Sequence, residues 1–243
     1  MLKLYNYILT LGIRVLYKIG YKNYRLSTIY NLNRILNINY KENKNFSFIQ
    51  VGANDGISFD SLYEFVISRK SSGLVIEPIN NYFNELVENY KEFPAIIKIN
   101  KAIHSFEKSK NIYKIKESQK QKYPNWVKGI ASFDKNHYLK AKISKDDIEE
   151  ENVLADTFMN IISEFYLNKK IDYLQIDTEG YDLEILKMID FAIVKPIIIK
   201  YENVHLEIKD LIESKKLLID QGYSLFDVGY NTIGVDLGRI RLL

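Results

Sequence analysis

Residues 177–182, Asp-Thr-Glu-Gly-Tyr-Asp, place three carboxylates within six positions at the end of a short apolar run. A second such run, 197–201, ends in Glu202 and Asn203, with His205 two residues further on. Carboxylates and an imidazole on neighbouring strand ends suit two kinds of chemistry. One is removal of a proton from a hydroxyl; the other is capture of a hard divalent cation through oxygen. Upstream, Gly52-Ala53-Asn54-Asp55-Gly56 follows the apolar run 46–51. Glycines in such a turn let the backbone approach a ligand without a Cβ in the way, and a helix beginning behind it offers free N–H groups. Glu77 closes the run 73–76 about 20 residues beyond the turn, the spacing of a ribose-binding carboxylate at the tip of the second strand of a nucleotide-binding sheet. Two ribose hydroxyls need a bidentate acceptor, which an acid supplies and an amide does not.

The segments that must position these residues alternate between strand-like and helix-like patterns. Strands are expected at 46–51, 73–77, 95–103, 152–154, 171–176 and 196–201. Helices are expected between them at 57–69, 79–91, 157–167, 180–190 and 207–221. Such alternation implies right-handed crossovers and a parallel sheet covered on both faces. Strands at 223–228 and 232–241, separated by Gly229-Tyr230-Asn231, close the sheet as an antiparallel hairpin. Residues 105–150 break the rhythm and read as an irregular lid or substrate-binding insertion. The chain thus divides into a basic helical extension at 1–44 and an α/β domain at 45–243.

The extension carries most of the charge asymmetry. Of the net +3, residues 1–45 hold eight basic side chains and one acid, +7, which leaves −4 for residues 46–243. An acidic main body argues against nucleic acid as its partner. Lys3, Asn6, Thr10, Arg14 and Lys18 recur at helical spacing, forming one polar stripe on an otherwise apolar helix over 1–19. That helix is too short in its uncharged run to span a bilayer and no small-residue cleavage site follows it. Packing on the protein's own core, dimerisation through the N-terminal helices, and peripheral contact with a membrane surface all stay open. A second helix starts near Ser27, and 41–45 is a polar linker. With no cysteine, thiolate zinc sites and disulfides are excluded. The expected location is the cytoplasm, with the membrane periphery as the alternative.

Gly-Ala-Asn-Asp-Gly at 52–56, Glu77-Pro78 and Asp-Thr-Glu-Gly-Tyr-Asp at 177–182 together resemble the FkbM family of S-adenosylmethionine-dependent methyltransferases. The resemblance covers about residues 46–205. It implies a class I Rossmann-like fold with a mostly parallel seven-stranded sheet, and O-methylation of hydroxyl groups, often on sugars or polyketide-like products. It also implies that Gly52, Ala53, Asn54, Asp55 and Gly56 hold the methionine part of the cofactor and that Glu77, with Pro78 behind it, holds the ribose. Ala102, Ile103 and His104 then lie beside the adenine, and Ser132, in Gly129-Ile130-Ala131-Ser132-Phe133, lies near cofactor or acceptor. Gln50 stands where many methyltransferases have an acid, so Asp55 or Asp177 balances the cofactor's ammonium instead.

Asp177, Glu202 and Asn203 are similar to the magnesium ligands of catechol-type methyltransferases, and Mg²⁺ or another divalent cation is one expectation for this end of the site. Metal-free catalysis with Asp177, Glu179 or His205 as proton acceptor is the other, and helix capping by Asp177 and Thr178 a third. His104 and His137 read as ordinary polar positions. The expected partner is a small-molecule or glycan hydroxyl, most readily a nucleotide-activated sugar or surface polysaccharide. An NAD(P)-dependent oxidoreductase is disfavoured because Gly52 and Gly56 do not make Gly-x-Gly-x-x-Gly. A non-catalytic scaffold is disfavoured by the clustered acids.

Overall fold

The computed structural model describes residues 1–21, 29–41, 45–58, 62–166 and 169–243. Seven strands form the main sheet: β1 (Ser47–Val51), β2 (Ser72–Ile76), β3 (Ile96–Ile99), β8 (Tyr173–Ile176), β9 (Ile198–Glu202), β10 (Ser224–Val228) and β11 (Asn231–Val235). Their order is β10-β11-β9-β8-β1-β2-β3. Only β11 is reversed, pairing antiparallel with both β9 and β10. Because successive crossovers leave β1 in opposite directions, toward β2 and toward β8, the sheet has its topological switch point between β1 and β8. Open α/β sheets bind ligands there.

The strands are apolar runs because both faces are covered. Phe48, Val75, Tyr173 and Ile198 point to one side, where α2 (Leu32–Tyr40), α3 (Leu62–Ile67) and α4 (Asn80–Asn89) supply Ile35, Leu36, Val66 and Leu86. Ile49, Leu74, Leu174 and Ile199 point to the other. There α5 (Phe158–Phe165), α6 (Asp182–Met188) and α7 (Ile208–Asp220) supply Phe158, Ile161, Leu186 and Leu218.

Three expectations from the sequence change. The strand expected at 95–103 is two: Asn100 turns its amide onto the carbonyls of Glu77 and Pro78, so the chain leaves β3 and starts β4 (Ala102–Ile103) in another sheet. Of the helix expected at 57–69, Leu62–Ile67 is helical, Ile57 and Ser58 are not, and residues 59–61 lie outside the described residues. Residues 105–150 are not irregular throughout, for β5 (Ser109–Ile115) and β6 (Ala131–Ser132) join β4 and β7 (Ile148–Asp156) in a four-stranded sheet ordered β4-β7-β5-β6. Lys114 of β5 faces glutamates of β7: its Nζ lies 2.7 Å from Glu151 and 3.5 Å from Glu149. Such cross-strand pairing makes each strand alone look like a solvated charged segment.

The N-terminal helix α1 (Leu2–Lys18) forms as expected, and the structure shows which of its faces is turned inward. Asn6 is fully buried and its Nδ2 donates to the carbonyls of Leu237 and Ile240, at 3.0 and 2.7 Å. Thr10 is buried beside it. Part of the polar stripe therefore faces the protein, while Leu4, Ile8, Leu11 and Val15 face outward. The start of the second helix near Ser27 and most of the 41–45 linker lie outside the described residues. None of the described helices is long and apolar enough to cross a membrane.

Candidate active site

A cavity of about 760 Å³ opens at the switch point, within the usual size range of small-molecule and cofactor sites. One wall is the turn after β1. Gly52 has φ +76°, and a Cβ there would stand 1.8 Å from the carbonyl oxygen of Asp177; glycine is required because the ends of β1 and β8 touch. The N–H groups of Gly52 and Ala53 both reach the carbonyl of Ile76. Asn54, also at positive φ, donates its N–H to Glu77 Oε2 at 2.8 Å, and Ile79 N–H donates to Oε1 at 2.9 Å. Burial raises the Glu77 carboxyl to about 7 against these two donors. Each oxygen keeps a further lone pair for a ligand, and Glu77 and Pro78 line the cavity with Gly52, Ala53 and Asn54.

Asp55 and Gly56 do not line it. The Asp55 carboxylate accepts from Ile57 N–H, Ser58 N–H and the Ser58 hydroxyl, so it consumes the donors expected to face a cofactor. Gly56, at φ +81°, packs on the ring of Tyr90, which a Cβ would meet at 2.5 Å. Ala102, Ile103 and Ser132 border the cavity from the second sheet, joined by Trp126 and Tyr181. His104 is buried behind Tyr181, its ring stacked on the tyrosine at 5.4 Å, and burial lowers its pKa.

The opposite end is built by the loop after β8. Asp182 braces it from within. This carboxylate, fully buried, accepts from the Thr178 hydroxyl (3.0 Å), Gly180 N–H (3.3 Å) and Glu202 N–H (3.2 Å), while burial raises its pKa to about 6. Neither Asp177 nor Thr178 caps α6, whose N-cap position is Tyr181 and which has no side-chain cap. The loop it holds carries Glu179 at φ +54°, a strained backbone of the kind that clusters at functional sites. Ser132 donates its hydroxyl to the Glu179 carbonyl at 2.9 Å. The Glu179 side chain then places one oxygen, Oε2, 3.0 Å from His137 Nε2 and 3.0 Å from His205 Nε2. Burial alone would raise this carboxyl, but the two imidazoles override it and hold it at about 2.

Asp177, Glu179 and Glu202 bring carboxylate oxygens within 4.8 Å of one another, as do His137, Glu179 and His205 their ligand atoms. Glu202 Oε2 is buried with no hydrogen-bond partner among the described residues, 3.7 Å from His205 Nε2. Burial, then the charges of Asp177 and Glu179, push Glu202 up to about 9. Asn203 does not join this cluster: its amide donates to the Thr232 hydroxyl at 2.9 Å, turned toward β11. His137 is the reverse case, an expected ordinary polar residue that the second sheet delivers into the cluster. No local spacing signals it, since its partners lie 42 and 68 positions away.

The sheet order, the switch-point cavity and the acidic strand ends define a class I S-adenosylmethionine-dependent methyltransferase fold. Several solved structures are similar to this chain at low identity. An FkbM methyltransferase from Methylobacillus flagellatus matches with TM-score 0.48 and 13% identity over 79% of this chain and 43% of that one. A METTL16 methyltransferase domain gives 0.45 and 14% over 87% and 67%. The fibrillarin pre-rRNA processing protein of Methanococcus jannaschii gives 0.41 and 15% over 79% and 66%. This chain thus spans under two thirds of the fibrillarin chain and less than half of the FkbM chain. No curated protein matches it. The methyltransferase FkbM domain model matches residues 50–225, and the chain belongs to that family.

Proposed function

We propose that this protein transfers a methyl group from S-adenosylmethionine to a hydroxyl oxygen, with a sugar, nucleotide-activated or within a surface polysaccharide, as the acceptor. The observation that carries the reading is one cavity joining a buried bidentate carboxylate, Glu77, to a histidine–carboxylate pair, His205 and Glu179, at its other end. Glu77 has the chemistry to hold ribose hydroxyls, and the turn at 52–54 the backbone to pass close to the methionine part. When bound, S-adenosylmethionine supplies a methyl on a cationic sulfur, which leaves neutral. The protein's share is to orient the acceptor, exclude water and take a proton.

His205 takes the proton. Glu179, ionised at neutral pH, fixes the Nε2–H tautomer of both imidazoles. His137 is only 3% exposed and its Nδ1 has no partner among the described residues, so it is sealed off from an acceptor. His205 lines the cavity. Its Nδ1 is the remaining base, and Glu179 stabilises the imidazolium that forms. A second reading is favoured by the orphaned oxygen of Glu202. A divalent cation held by Asp177, Glu179 and Glu202 would use that oxygen, one held by His137, Glu179 and His205 would lie beside it, and either would lower the acceptor's pKa. Two imidazole ligands suit Mn²⁺, Fe²⁺ or Zn²⁺ better than Mg²⁺.

Calorimetric titration with S-adenosylmethionine and S-adenosylhomocysteine, followed by a sugar-acceptor screen, tests the proposal. The expected result is micromolar binding of both, and in His205→Ala unchanged binding with turnover reduced about 10²–10⁴-fold. Absence of binding to either ligand would reject the reading. Full turnover after exhaustive chelation would reject the cation.

A further inference from the structure

Helix α1 carries an outward apolar face that is exposed among the described residues. At 100° per residue, Leu4, Ile8, Leu11 and Val15 fall within an arc of about 60°. They are 49–62% exposed. Tyr5 and Tyr7, also exposed, flank them. Lys3, Arg14 and Lys18 are exposed too and lie along one border of the same face. The opposite side of the helix is occupied: Asn6 bonds the carbonyls of Leu237 and Ile240, and Ile13 enters the core. The helix cannot roll its apolar face inward without breaking these bonds, so that face is held toward solvent. At 1.5 Å per residue the strip from Leu4 to Val15 is about 17 Å long, and a contiguous exposed apolar strip of this kind marks an interaction surface.

We infer that α1 docks this face into an anionic lipid surface, lying in the plane of the interface with its cations on lipid headgroups. Charge decides between occupants. Residues 1–41 contain no acid. A second copy of the helix would thus bring cations and no partner for them, whereas paired helices normally use opposite charges beside the apolar seam. An anionic membrane supplies what is missing, and apolar burial combined with basic borders and interfacial tyrosines is the composition of interfacial helices. The inference does not depend on the catalytic reading, since none of these residues lines the cavity.

The test is co-sedimentation of the full chain with vesicles of phosphatidylcholine alone and of phosphatidylcholine mixed with phosphatidylglycerol, alongside light scattering for mass. Partition into the anionic vesicles is expected to exceed that into the neutral ones at least tenfold and to weaken with added salt. The double substitution Ile8→Asn with Leu11→Asn should abolish it. Charge reversal by Lys3→Glu, Arg14→Glu and Lys18→Glu should remove the preference for anionic lipid. All five side chains are exposed, so melting temperature serves as the folding control. Absence of vesicle binding, or equal binding to both lipids, overturns the inference. A dimer that the Ile8/Leu11 variant dissolves, without vesicle binding, assigns the face to a second copy instead.

Discussion

Replacing Glu77 by Gln separates cofactor binding from folding, and the structure says by how much. The native carboxylate accepts one backbone N–H on each oxygen and is fully buried, with its pKa raised from 4.5 to about 7. A raised folded-state pKa means the stabilising contribution is complete below 4.5 and is lost as pH rises through about 7. At 1.36 kcal/mol per pKa unit, the ionised form costs the folded state about 3 kcal/mol at slightly alkaline pH. Glutamine removes that cost but has one acceptor oxygen, so one N–H loses its partner at about 1–3 kcal/mol. The two effects nearly cancel. Near pH 7.5 the variant should melt within a few degrees of the native protein, yet bind S-adenosylhomocysteine at least tenfold more weakly. Thermal melts from pH 5 to 8 should show the native protein losing about 3 kcal/mol relative to Glu77→Gln, or about 6–12 °C for a chain of this size. Glu77→Ala is the poorer probe because it orphans both N–H groups and leaves a cavity. Native affinity in a folded Glu77→Gln would refute the assignment of Glu77 to the ribose. A flat difference between the two pH profiles would refute the electrostatic argument.

Gly52→Ala should lose more than about 3 kcal/mol or fail to fold, because positive φ and backbone overlap act together; denaturant titration within 1 kcal/mol of native would contradict the close approach of β1 and β8. Gly12, whose Cβ would meet open space, gives the opposite expectation, a gain of about 0.5–1 kcal/mol in Gly12→Ala, measured the same way. Glu179 is held at about 2 by its imidazoles, so its contribution is present above 4.5 and lost as pH falls toward 2. Acid unfolding of Glu179→Gln should lack that component, and superimposable acid transitions would contradict it. Adding Mn²⁺ or Zn²⁺ to chelator-treated protein should raise the melting temperature if the cation reading holds, and His137→Ala should remove the rise.

How much was legible follows from the range of the interactions involved. β1, β2, β8 and β9 are apolar runs buried on both faces, and each announces itself without reference to any neighbour. The turn at Gly52 and the acid at Glu77 show in the glycine pattern and the strand spacing, although the contact that requires Gly52, with Asp177, is not local. The small sheet of β5 and β7 is not legible in this way. Lys114 meets Glu149 and Glu151 only through strand pairing, which brings Lys114 and Glu151 together across 37 positions. His137 is hidden for the same reason, as is the failure of Asn203, which finds Thr232 in a hairpin nearly thirty residues on. Asp55 shows a different limit: a carboxylate beside a glycine turn serves a ligand or its own backbone equally well, and here it serves the backbone. In α1 the periodicity was readable but its direction was not, since nothing in the stripe reveals that Asn6 meets carbonyls at 237 and 240.

That last contact sets an order of events during synthesis. The seat for Asn6 is made of residues translated more than 200 positions later, and ribosomes add about 5–20 residues per second. For roughly 10–50 s Asn6 therefore lacks the two carbonyls that seat it. Throughout that interval the face that carries Asn6 is open to other partners, and residues 237–240 are what withdraws it from competition.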